Sequence, residues 1–139
     1  LERIFVDANI FLRYLTNDVP EQADAVEQLL SQAARGEVVL VTNALVMAEI
    51  VWTLESFYQL PRNDIQEKVL AILNTPGIEI MDGELILQAV MWYAEKNVDF
   101  IDADNAVWMQ GQGLQVACTF DKKHFSRFEG ITVLVPSTQ

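Results

Sequence analysis

Short apolar runs alternate with longer amphipathic stretches along the chain. Residues 3–6 (Arg3-Ile4-Phe5-Val6) read as a short buried strand that stops at Asp7, and residues 9–16 as a helix with Ile10, Phe11, Tyr14 and Leu15 at its apolar positions. Asn17-Asp18-Val19-Pro20 is a break, and Pro20 suits a first helical turn. Ala23, Val26, Leu29, Leu30 and Ala33 then recur at helical spacing until Gly36. The run 38–41 predicts a second strand, and Asn43 caps a long helix to about Tyr58. After Pro61, residues 64–73 are amphipathic, and Thr75-Pro76-Gly77 stops them. A short strand over 78–81, a helix over 84–95, a turn at Asn97-Val98-Asp99 and a helix over 100–111 follow. The chain closes with a strand over 116–120, a turn or single helical coil over 122–128, a strand over 131–135 and a polar tail.

This alternation predicts an α/β fold with a mostly parallel sheet covered on both faces. In such sheets ligand sites lie at the carboxyl ends of strands, which draws attention to Asp7, Thr42-Asn43 and Asp121. With 139 residues, the expectation is one domain over 1–139 with a substantial core. A hydrophobic share of 51% excludes a disordered acidic tail. No apolar run approaches the roughly 18 residues of a membrane span, and no signal peptide is visible, so a cytoplasmic location is expected. The one cysteine, Cys118, excludes an intramolecular disulfide and a cysteine-based zinc site; its apolar neighbours predict a small buried hydrophobe.

Charge complicates any functional reading. Nine basic residues against 20 acidic ones give a net charge of −11, unlike proteins that grip nucleic acid by bulk electrostatics. Several carboxylates nevertheless look out of place on a merely solvated surface. Asp7 follows a strand directly, although a helix cap explains it equally well. Glu49 is the only charge between Asn43 and Glu55, which predicts a partly buried carboxylate in need of a cation, a metal or a proton. Asp99, Asp102 and Asp104 crowd the start of one helix; Asp99 suits its N-cap, yet a cap does not require three like charges. Asp121 lies beside the only local basic patch, Lys122, Lys123 and Arg127; His124 has two readings, a ring simply packed beside Phe125, which is favoured, or one that stacks on or hydrogen-bonds to a bound RNA. Asp7, Glu49, Asp102 and Asp121 thus fall at or just beyond element ends on one predicted sheet edge. Oxygen ligands without cysteine suit Mg²⁺ or Mn²⁺, and carboxylates holding one or two such ions are a recurring means of cleaving phosphodiesters.

Four segments, in order, resemble the PIN domain and in particular its small VapC-type ribonuclease toxins. They are the opening 6–15 (Val6-Asp7-Ala8-Asn9-Ile10-Phe11-Leu12-Arg13-Tyr14-Leu15), Ala48-Glu49-Ile50-Val51-Trp52-Thr53-Leu54, Asp99-Phe100-Ile101-Asp102-Ala103, and Thr119-Phe120-Asp121-Lys122-Lys123-His124-Phe125. The resemblance implies a doubly wound, mostly parallel sheet of four or five strands flanked by helices. It implies a metal-dependent endoribonuclease with Asp7, Glu49, Asp102 and Asp121 as its acidic quartet. Asp99 would be a secondary acid, and Asn9 and Thr119 polar supports. Asp104 departs from the family, which often has an apolar residue there. Metal ligation would fall to Asp7, Asp102 and Asp121, with Glu49 orienting water or acting as its base. Cleavage in this family leaves a 5′-phosphate and a 3′-hydroxyl. Arg13, Lys122, Lys123 and Arg127 are the candidates for RNA phosphate contacts. The implied partners are a second copy of the chain and an antitoxin whose C-terminal segment places a basic side chain in the acidic groove. The competing expectations are a PIN-like binding module without activity, or a phosphate-transfer protein of the phosphatase or receiver type. Asn9, where a phosphatase of the haloacid-dehalogenase type needs a second Asp, counts against the phosphatase. A receiver would give the Glu49 helix no role.

Overall fold

The computed structural model describes residues 1–137; the end of the expected polar tail lies outside them. The chain divides into two compact units, Leu1–Gly83 and Glu84–Gln139.

The first unit is built on three parallel strands: β1 (Arg3–Phe5), β2 (Val39–Thr42) and β3 (Ile78–Ile80), in that order. Ile4 pairs with Leu40, and Leu40 with Ile78. Helices α1 (Ala8–Thr16) and α2 (Pro20–Ala34) connect β1 to β2, while α3 (Ala44–Ser56) and α4 (Arg62–Leu73) connect β2 to β3. Each parallel pair therefore has the long helical crossover that parallel pairing requires. Pro20 opens α2 as its first helical residue, and Asn43 caps α3 by accepting from the Val46 N–H at 3.0 Å. Phe11 and Leu12 of α1, Ala23 and Val26 of α2, Ile50 and Leu54 of α3, and Ile65 and Val69 of α4 are buried. The Tyr58 hydroxyl donates to Asp18 at 2.6 Å, linking the end of α3 to the α1–α2 turn. That bond, followed by one from Thr16, holds the Asp18 carboxyl below the usual carboxylate range.

The second unit contains α5 (Gly83–Glu95, opening at the boundary), α6 (Phe100–Gly111), β4 (Val116–Cys118), α7 (Lys122–Phe125) and β5 (Thr132–Leu134). β4 and β5 are parallel, with Ala117 opposite Val133. Tyr93 of α5 and Ala103 and Ala106 of α6 are fully buried, and Phe125 and Phe128 meet edge to face with ring centres 5.9 Å apart.

Among the described residues, the expected four or five parallel strands are realised as five, paired three in the first unit and two in the second. Two expectations fail on burial. Cys118 is exposed: β4 alternates, so Ala117 points inward while Val116 and Cys118 point to solvent. Glu49 is also exposed, on an outward stripe of α3 with Leu45, Trp52 and Ser56. The stripe is solvated although largely apolar, so the rarity of charge there did not signal burial.

Candidate metal centre

The second unit assembles the densest chemistry. Asp99 occupies the N-cap position of α6, and Asp102 follows in its first turn. Asp121 caps α7, its Oδ1 accepting from the His124 N–H at 3.3 Å. The Thr119 hydroxyl accepts from the Asp121 N–H at 2.9 Å, which fixes the backbone between β4 and α7. The two helices bring their side chains together at His124. Its Nδ1 lies 3.0 Å from Asp102 Oδ2, 3.3 Å from Asp121 Oδ2 and 3.4 Å from Asp99 Oδ2. Asp99 makes no side-chain cap, contrary to expectation; its carboxylate faces His124 instead.

The carboxylates respond to this crowding in opposite directions. Burial is the main cause that raises Asp102, reinforced by the carboxylates of Asp121 and Asp99 and opposed by its hydrogen bond to His124. Asp121 is lowered, first by the His124 backbone N–H and then by its bond to Asp102 and the adjoining imidazole, against a smaller desolvation effect. The two acids titrate as a pair, Asp102 shifted up and Asp121 shifted down.

His124 is the residue that sequence reasoning undervalued. It was expected to pack beside Phe125, but Phe125 alone is buried and the imidazole turns into the acidic cluster. The signal was available as a pair of i, i+3 spacings, Asp99 to Asp102 and Asp121 to His124, each placing two side chains on one helical face. Ligand atoms of Asp99, Asp102 and His124 all lie within 4.8 Å of one another. Two carboxylates and one imidazole, with the Asp121 carboxylate beside them and no thiolate, fit a divalent ion such as Mg²⁺ or Mn²⁺.

The remaining candidates lie elsewhere. Asp7, in the first unit, caps α1 by accepting from the Ile10 N–H at 3.3 Å. The buried Thr42 hydroxyl donates to the Val6 carbonyl at 3.0 Å, pinning the residue before Asp7. Asn9 and Glu49 are exposed, and Asp104 is half-buried. Arg13 donates to Gln22 at 2.7 Å and pairs with Asp18 at 3.5 Å. Lys122 and Lys123 are exposed on α7. Arg127 Nη1 donates to the carbonyls of Lys96 and Asn97, so this side chain ties down the turn that leads into Asp99.

The model of the PIN domain family matches residues 4–131. The chain belongs to the PIN domain family. The match runs through both compact units of this PIN domain. It is similar to a VapC ribonuclease of Aquifex aeolicus, 25% identical over 119 residues covering 85% of this chain and 87% of that one. It is also similar to a solved structure of the Mycobacterium tuberculosis VapC20 toxin, described as cleaving the sarcin–ricin loop. That match has 20% identity and a TM-score of 0.40, over 88% of this chain and 93% of the other. No helix among the described residues is long and apolar enough to cross a membrane.

Proposed function

We propose that this PIN domain is a metal-dependent endoribonuclease that acts as one domain over 1–139 and is the toxin of a toxin–antitoxin pair. The observation that carries the reading is the meeting of Asp99, Asp102 and His124, with Asp121 beside them, a donor set for a divalent ion in a chain of this family. The similarity to a VapC ribonuclease supports RNA as the substrate.

Asp99, Asp102 and Asp121 would take part in holding one or two Mg²⁺ or Mn²⁺ ions, and Asp7 would be a metal ligand as the family resemblance implies. Such ions, when bound, lower the pKa of water and offset charge on a phosphodiester. Glu49, exposed on α3, would orient the attacking water and serve as its base. Thr119 would keep Asp121 in place through its backbone N–H, and Thr42 would do the same for Asp7 through the Val6 carbonyl. Lys122 and Lys123 would contact RNA phosphates. Hydrolysis would break the bond between phosphorus and the 3′-oxygen, which takes up a proton, and leave a 5′-phosphate.

Homodimerisation and a basic antitoxin segment belong to this reading, as does a cytoplasmic location. Sedimentation should then give twice the 15.7 kDa of one chain. The decisive experiment incubates the chain with RNA in Mn²⁺, in Mg²⁺ and in EDTA, beside Asp7→Asn. Cleavage to 5′-phosphate ends is expected only with a divalent ion and only in the wild type. Asp7→Asn should lose at least about 100-fold in rate, on the scale of removing a main electrostatic contributor. Cleavage at the wild-type rate in EDTA or in the variant would overturn the proposal, and no cleavage under any condition would favour a binding module.

A further inference from the structure

We propose that His124 is itself a metal ligand, its Nδ1 joining Asp102 and Asp99, with Asp121 beside them, in a mixed nitrogen and oxygen donor set that favours Mn²⁺ over Mg²⁺. This rests on the divalent-ion reading of the same site and adds to it which atom completes the set and which ion it selects.

The spacing of the donors is the first argument. Neighbouring ligand atoms around an octahedral ion with bonds of about 2.1 Å are separated by about 3 Å. The His124 Nδ1 lies at 3.0, 3.3 and 3.4 Å from its three carboxylate oxygens, so it stands at ligand-to-ligand distance from all of them. A histidine that served only as a hydrogen-bond donor would bring one Nδ1–H to this place. One proton satisfies one oxygen, and here three converge on the same nitrogen.

Placement is the second argument. His124 shares the single turn of α7 with Asp121, whose carboxylate takes the His124 backbone N–H, so ring and carboxylate are held on one rigid piece of backbone. Phe125 is buried next to it and anchors that turn against Phe128. The ring is 16% exposed, closed in from most of the solvent yet aimed at acids with 19% to 59% exposure. A ligand held this way is pre-positioned.

The choice of ion follows from the donor. Mg²⁺ is bound almost entirely by oxygen and gives up its waters reluctantly, whereas imidazole nitrogen suits first-row transition ions. One nitrogen among carboxylates therefore tilts the site toward Mn²⁺ without excluding Mg²⁺.

This chain has one histidine, so labelling all histidine with ¹⁵N marks this ring alone. The test binds Mn²⁺ to the untagged full chain and reads nitrogen couplings by electron spin echo. Expected is a ¹⁴N coupling that becomes a ¹⁵N coupling on labelling. His124→Asn should remove the coupling and lower Mn²⁺ affinity about 10-fold or more, with a smaller effect on Mg²⁺ and an unchanged far-UV spectrum. Bound Mn²⁺ without a histidine coupling would overturn the inference, as would equal losses for the two ions. Cleavage of RNA in Mn²⁺ without the coupling would sink this inference and leave the ribonuclease reading intact. The coupling without cleavage would do the reverse, and failure of the chain to bind Mn²⁺ would sink both.

Discussion

At the scale of single residues, the second-unit acids make stability depend on pH in a way that can be worked out by sign. Asp102 is raised by burial and by its acidic neighbours, so the folded chain holds its proton more tightly than the unfolded chain does. Its contribution is present in full below the ordinary carboxylate range and is lost as pH rises through the raised value. Asp121, lowered chiefly by the His124 N–H, contributes in the opposite sense: above the ordinary range, with loss on acidification. In EDTA, Asp102→Asn should therefore gain melting temperature relative to the wild type as pH rises above the ordinary carboxylate range. Paired thermal melts check it, and a difference that stays flat with pH would contradict the assignment. Adding Mn²⁺ should remove the wild type's disadvantage, because the ion takes the place of the proton. The acids of this cluster were legible in the sequence through their crowding. The orientation of His124 was not, because a neighbouring Phe is equally compatible with a packed ring. Glu49 misled for the converse reason: an apolar stripe can face solvent, so counting charges along one helix does not reveal which side is covered.

At the scale of elements, the alternation of apolar runs located every strand and helix, and the departures came at the ends. The strand predicted over 116–120 stops at Cys118, because the Thr119 hydroxyl takes the Asp121 N–H and turns the backbone toward α7. Gly36 closes α2 as expected: it lies just past the C-cap Arg35 with φ of 78°, its N–H donates to the Ala33 carbonyl at 3.0 Å, and the Glu37 N–H donates to the Gln32 carbonyl at 3.0 Å. The break Thr75-Pro76-Gly77 acts as the expected stop, and pairing and packing add a second duty. The Gly77 carbonyl accepts from the Leu40 N–H at 2.9 Å, fixing the start of the β2–β3 register. Gly77 also has φ of 85°, and a Cβ there would collide with the Ala33 carbonyl near the end of α2. Gly77→Ala combines left-handed strain with overpacking against backbone, and should cost about 2–5 kcal/mol in a denaturant titration. Gly36 has the same sign of φ but open space around it, so Gly36→Ala should cost about 1–2 kcal/mol, the strain alone. Equal losses at the two positions would show that the close approach of α2 to this turn is unimportant.

At the scale of the whole molecule, the net charge of −11 sets how this PIN domain can meet RNA. Assigning four acids to a metal-holding quartet leaves the rest of the chain strongly acidic. Affinity from phosphate contacts is therefore confined to a few cations, with the exposed pair Lys122 and Lys123 beside the cluster as the main ones. Each phosphate contact contributes about −0.7 to the slope of log affinity against log salt for single strands, so two contacts predict a slope of about −1.4. The same geometry predicts that binding depends on the divalent ion, since the uncovered carboxylates of Asp99, Asp102 and Asp121 repel the backbone that the lysines attract. Measured with Asp7→Asn, so that the RNA survives, binding in Mn²⁺ should show this shallow slope, and Lys122→Gln should make it shallower by about 0.7. In EDTA, binding should weaken at every salt concentration, most of all at low salt, where repulsion is least screened. A slope several-fold steeper, or binding indifferent to EDTA, would mean that RNA is held by a surface other than the acidic cluster. A basic peptide should show the inverse dependence, binding best when the ion is removed, because it then supplies the positive charge that the carboxylates lack.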